Sequence, residues 1–211
     1  MDNLINNIKK SYEYSSVIEN CNTATTIIAN YINNKVAFET ISGKYDSFNR
    51  YNLLNVYLTL SRAMNCELDC VTIKKSFIIN EIPIRTNPWN IKSVFDSFLI
   101  INDDNVLSAE KGALNIINSY LYPMNFVMCI NGKHSQFAAI SQGKGESFFT
   151  ERFDFSKLYD LCRYDGVNFK DNDNKIVKLI DKYTPEEIMF AGILFEIGRV
   201  RLEEDFKSPY A

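Results

Sequence analysis

Apolar side chains recur at helical spacing through the first half of the chain and fall into short strand-like runs in the second. Leu4, Ile5, Ile8 and Tyr12 mark a first helix, whose pattern breaks near Ser15-Ser16. A second helix is expected to begin after Asn20 and to run through Ile27, Ile28, Tyr31 and Ile32. Asn20, Asn22 or Thr23 would cap it, because a short side chain can accept from the free N–H groups of a first turn. Phe48 to Met64 carries a further amphipathic pattern, with Leu53, Leu54, Tyr57, Leu58 and Leu60 on one side. Val71 to Ile84 is β-branched and mostly apolar and reads as one strand or two, punctuated by Pro83 and Pro88. Asn90–Ile101 and Ser108–Tyr122 read as helices, the second stopped by Pro123.

The pattern then changes. Asn125 to Ile130 (NFVMCI) is a short apolar strand. Asn131-Gly132 predicts a two-residue hairpin, since both residues tolerate positive φ. His134–Ser141 is then the returning strand, Gln142-Gly143-Lys144-Gly145 a second turn, and Glu146–Phe153 a third strand. Thr184-Pro185-Glu186-Glu187 announces a final helix by its cap, its proline at the first helical position and its acidic first turn. Ile188, Phe190, Ala191, Leu194, Phe195 and Ile197 form its buried side; Arg199, Arg201, Glu203, Glu204 and Asp205 form its wet end. The expected class is α+β: N-terminal helices, an antiparallel β-meander over residues 125–153 covered by helices, and a C-terminal helix. With no repeat or Gly/Ser-rich linker, residues 1–211 read as a single domain with a soft boundary near 80–90.

Composition narrows the function classes. A hydrophobic content of 46% with 23% charged residues is that of an ordinary globular protein, so long disordered stretches are not expected. A net charge of −3 and the absence of a Lys/Arg run argue against nucleic acid as a partner. No apolar stretch is long enough for a membrane span, and the N-terminus lacks the apolar core of a secretory signal. Cys21, Cys66, Cys70, Cys129 and Cys162 show no framework spacing and read as free thiols in a reducing, cytosolic compartment. A protein substrate or protein partner is the expectation, with no cofactor; oligomeric state is left open.

Cys21 and His134 are the most suggestive pair. Cys21 falls at or near the start of an expected helix, where free N–H groups favour a thiolate. His134, the only histidine, falls at the start of an expected strand, from which an imidazole can face such a helix end. Thiolate plus imidazole is the minimum for nucleophilic cysteine catalysis. In these two segments, ENCNTATTIIANYI and HSQFAAISQGKGESFFTERF, the chain resembles papain-like cysteine peptidases of the bacterial effector and toxin type. That resemblance implies His134 as base and the Cys21 N–H with Asn20 as oxyanion donors. It also implies an orienting acid after the paired aromatics Phe148 and Phe149. Thr150 stands where the acid belongs, which leaves Glu151 or Asp154 to hold the ring. The implied activity is attack on a protein amide, as a protease, deamidase or transglutaminase-like enzyme, in a host cytosol if the protein is an effector.

Other motifs carry less. Cys66 and Cys70 would share a helix face, but lack two further ligands for a tetrahedral metal site, and core packing is the expectation. QGKGE lacks a full phosphate-loop pattern and reads as a hairpin turn. KDNDNK (170–175) lacks the glycine and closing glutamate of a calcium loop and reads as a solvated turn. Phe148, Phe149, Phe153 and Phe155 read as core. The alternative function is a non-catalytic protein-binding factor, of viral host-interaction or immunity type, using an exposed apolar patch.

Overall fold

A computed structural model describes residues 1–44, 51–112, 115–179, 182–208 and 210. In chain order its elements are α1 (Asp2–Ile8), α2 (Val17–Ile41), α3 (Leu53–Ala63), β1 (Asp69–Ile78), β2 (Ile84–Arg85), α4 (Ile91–Ile100) and α5 (Ala109–Gly112). There follow β3 (Ile117–Tyr122), β4 (Phe126–Asn131), α6 (Lys133–Gln142), β5 (Glu146–Asp154), a 3-10 turn (Ser156–Asp160), β6 (Cys162–Tyr164), β7 (Phe169–Asp171) and α7 (Pro185–Glu203). The class is α+β with a C-terminal helix, as the hydrophobic pattern requires.

Five strands form one mixed sheet in the order β1-β5-β3-β4-β2. β1 is antiparallel to β5 and β3 to β4, whereas β3 runs parallel to β5 and β2 parallel to β4. Successive side chains of a strand point to opposite faces, and β4 shows the division. Phe126 and Met128 join the core under α2, α3 and α7, while Val127 and Cys129 join the second core beneath α6. Tyr120 and Leu121 of β3 part in the same way.

Several boundaries differ from the sequence expectation. α2 begins at Val17, four residues before Cys21, because Ser16 and Glu19 form a reciprocal capping box. Of the expected helix over Phe48–Met64, residues 48–50 lie outside those described, and α3 starts at Leu53 after an Asn52 cap. Ser108–Tyr122 is not one helix: after the short α5, Ile117–Tyr122 is strand β3, the inner strand that pairs with both β4 and β5.

The largest correction concerns residues 131–142. Asn131-Gly132 does not turn a hairpin and His134–Ser141 is not a strand; Lys133–Gln142 is helix α6. The meander over 125–153 is therefore two strands separated by a helix, and β5 pairs with β1 and β3 instead of β4. Gly132, at φ 81° and ψ 20°, occupies the left-handed region that a hairpin turn would use, but here it caps the helix. A side chain there would also crowd Ile116, with a Cβ 3.0 Å from its Cγ1. Ala138 and Ala139 are weak strand formers and strong helix formers, and both are fully buried against the sheet. QGKGE is correspondingly a helix end, with Gly143 as the left-handed C-cap.

Residues 82–88, within the soft boundary expected near 80–90, run buried through the interior. Ile84 and Arg85 pair with Val127 and Met128, and Asn33 of α2 clamps the segment. The Asn33 amide donates to the Ile84 carbonyl at 2.8 Å and its oxygen accepts from the Thr86 N–H at 2.8 Å. The same clamp fixes the chain that leads into Trp89 and α4.

Candidate ligand cleft at the start of α6

α4 and α6 pack side by side, with Phe98 of one meeting Phe137 of the other edge to face at 5.8 Å between centroids. Where their N-terminal ends meet lies a cleft of about 360 Å³ lined by Trp89, Ser93, Asp96, Asn131, Lys133, His134 and Ser135, among others. Its volume falls at the lower end of the range for small-molecule sites. β4 delivers the chain into the cleft at Asn131, Gly132 turns it, and α6 begins with its first-turn N–H groups directed back toward the opening.

Those N–H groups define the site's chemistry. No side chain caps α6, and the first helical bond runs from the Gln136 N–H to the Gly132 carbonyl at 3.0 Å. Among the described residues the N–H groups of His134 and Ser135 have no acceptor. α4 shows the contrast: its Ser93 N–H is satisfied by the Asn90 side-chain oxygen at 2.9 Å.

The His134 ring is fixed from the other side. Its Nε2 accepts from the Asn90 N–H at 3.2 Å, which places the ring proton on Nδ1. Burial and the adjacent Lys133 charge hold the imidazole below its ordinary value of 6.5, so it is neutral at pH 7. Trp89 flanks it, with ring centroids 5.9 Å apart. The Lys133 side chain is buried, and burial, reinforced by the Arg85 guanidinium, lowers its pKa against the opposing pull of Cys129. Asp96 is the acidic wall residue and is held by Lys92 one turn earlier. Beneath the first turn of α6 a buried network ties the helix to the sheet. Gln136 and Asn118 exchange hydrogen bonds at 2.9 and 3.0 Å, Ser147 donates to Gln136 at 2.8 Å, and Gln136 reaches Cys129 Sγ at 2.8 Å.

The residues expected from sequence do not meet here. Cys21 lies at the fifth position of α2, fully buried in a cluster with Ile8, Val17, Ile197 and Val200. It is past the free N–H groups, and burial pushes its thiol pKa up, only partly opposed by Arg201. None of the groups around Cys21 is among those around His134. Asn20 is a structural tie: its amide donates to the carbonyls of Ile8 and Lys10 at 3.1 and 2.7 Å, fixing α1 against α2. On β5, Glu151 accepts from the Ser119 hydroxyl, while Asp154 pairs with Arg152 at 3.0 Å and accepts from the Ser156 N–H at 2.9 Å. Thr150 donates to the Asn118 carbonyl at 2.9 Å.

The remaining motifs also find their places. Cys66 follows the end of α3 and Cys70 lies on β1, so they share no helix face. In residues 170–175 Asp171 accepts from the N–H groups of Asp173 and Lys175, which makes a turn. Arg201 is not on a wet helix end. It is fully buried, donating to the Met124 carbonyl and to Asn22 and Thr25 at 2.8 and 3.2 Å.

Sequence reasoning selected His134 but missed Trp89, Ser93, Lys133 and Ser135. The available signal was an apolar strand ending in Asn-Gly, followed by polar residues and then a Phe-Ala-Ala run, which suits a helix start as well as a hairpin. Among the described residues no helix is long and apolar enough to cross a membrane. No curated protein and no solved structure matches the chain. A family model matches residues 1–208, and by that match the chain belongs to DUF6710, a family of unknown function.

Proposed function

We propose that the protein is a binding protein for a small molecule carrying an anionic oxygen group, with phosphate the best-fitting group, held at the start of α6. The carrying observation is the pair of acceptor-free N–H groups on His134 and Ser135, opening onto a cleft of about 360 Å³. A helix N-terminus favours negative charge through its free donors and its dipole. The neutral His134 ring adds an Nδ1–H donor, the Ser93 and Ser135 hydroxyls add two more, and the lysine beside them supplies positive potential. Trp89 offers an aromatic wall for an apolar part of the same ligand. The reading is one of recognition without a chemical step. A thiol mechanism needs a nucleophile within reach of its base, and buried Cys21 has no contact with His134.

The test is an NMR titration of the full chain with inorganic phosphate and with a small phosphate monoester. The expected result is saturable downfield movement of the His134 and Ser135 amide resonances, together with a change in Trp89 fluorescence. Unmoved His134 and Ser135 amides at millimolar phosphate and monoester would rule the proposal out.

A further inference from the structure

α2 presents a second, unrelated surface. Ile27, Tyr31, Asn34, Phe38 and Ile41 are spaced four, three, four and three residues apart, the repeat of a coiled-coil seam. All five are exposed; the four apolar ones show 63%, 53%, 62% and 43% of their surface. Their buried counterparts, Ala29, Ile32, Val36 and Ala37, face the core, so α2 is apolar on two sides.

We infer that this seam is the interface of a two-fold dimer in which α2 of one copy lies antiparallel against α2 of another. The seam's own pattern selects a second copy as occupant. Centred on Asn34, an antiparallel pair sets Ile27 of one copy against Ile41 of the other and brings Tyr31 within one residue of Phe38, in both directions at once. A two-fold interface has to be self-complementary in this way. Asn34 meets Asn34 at the axis, where two amides donate to and accept from each other. Thr23, Thr26 and Asn30 border one side of the seam without charge, and on the other side Lys35 is neutralised by its ion pair with Glu186, which limits like-charge repulsion between two identical helices.

The area sets the strength. At roughly 200 Å² for a whole aromatic side chain and on the order of 100 Å² for an isoleucine, the exposed fractions amount to about 350 Å² of apolar surface per helix. With the polar border this comes to the low end of specific interfaces, where association is weak and reversible. The dimer is therefore expected to dissociate in the micromolar range, independently of any ligand in the α6 cleft.

Sedimentation equilibrium of the full chain at increasing concentration tests the assignment. Wild-type protein should pass from monomer to dimer below roughly 100 μM. Phe38→Glu should weaken association at least tenfold, while far-UV circular dichroism and Trp89 fluorescence keep their wild-type values. Asn34→Leu, which removes the buried amide pair, should strengthen association. An Asn34→Cys chain, oxidised and mapped by mass spectrometry, should form the symmetric 34–34 disulfide. A wild-type chain that stays monomeric at this concentration overturns the inference. So does a dimer indifferent to Phe38→Glu, or a 34–34 bond no more frequent than bonds through exposed Cys70.

Discussion

His134 couples the α6 cleft to the stability of the whole chain, and its replacement by alanine measures that coupling. In the folded protein Nε2 accepts the Asn90 N–H at 3.2 Å in a half-buried setting. Removing the ring leaves that donor poorly satisfied at the N-cap of α4, at a cost of about 1 to 2 kcal/mol. For a chain of this size such a loss lowers the melting temperature by about 2 to 8 °C. Protonating the wild-type ring should act in the same direction. The folded-state pKa is lowered from 6.5 by burial and by Lys133, so the unfolded chain binds the proton more tightly. The stabilisation from the neutral ring is fully present above 6.5. It is lost as pH falls from there toward the lowered folded pKa, and below that value no further loss follows. Because His134 is the only histidine, subtracting a His134→Gln series from the wild type isolates its contribution between about pH 7.5 and 5.5. Thermal unfolding followed by the single tryptophan, Trp89, is the assay. Parallel pH dependence in the two proteins would refute the placement of a neutral, hydrogen-bonded imidazole.

Arg201→Met should cost about 2 to 4 kcal/mol, since it strands the buried Met124 carbonyl and removes a donor from the Asn22 and Thr25 oxygens; chemical denaturation measures it, and a near-neutral result would contradict a buried guanidinium. Gly192→Ala should cost about 3 kcal/mol, because the added methyl overlaps the Tyr164 ring where α7 crosses β6. Its check is the shift in denaturation midpoint, with Ala191→Gly as the comparison that adds no atom. Iodoacetamide should label exposed Cys70 first and Cys66 next, leaving Cys21, Cys129 and Cys162 protected until unfolding. Burial pushes Cys129 and Cys162 up to about 12 and raises Cys21 as well. Preferential labelling of Cys21 at mildly acidic pH would restore the thiol-enzyme reading.

What could be read from the residues depended on how local the deciding interaction was. α7 was legible because its cap, its proline and its acidic turn lie within four consecutive residues and act on one another directly, as the Thr184–Glu187 capping box shows. The start of α2 differs from the expected one by a few residues although its signal, the Ser16–Glu19 capping box, is local too. β3 was harder. Ser108–Tyr122 holds a breaker at Gly112, where α5 ends, but Ile117–Tyr122 is a strand because Tyr120 and Leu121 face two different cores, one built by α6 and one by α2, α3 and α7.

The candidate site divides along the same line. Sequence alone established the α+β class, the apolar strand β4, the final helix and the glycine at 132, since each follows from short-range periodicity or backbone freedom. Whether Gly132 turned a hairpin or began a helix was a tertiary matter. β3 lies between β4 and β5 and pairs with both, so no strand position remains between those two for residues 133–142, and Ala138 and Ala139 let a helix sit close on the sheet instead. That one choice turned His134 from a strand residue facing a distant thiol into the second residue of a helix, beside Trp89. It also exposed two free N–H groups that no inspection of residue types reveals. Cys21 went the other way, into the core between α1, α2 and α7, because desolvation suits a neutral thiol better than a reactive one.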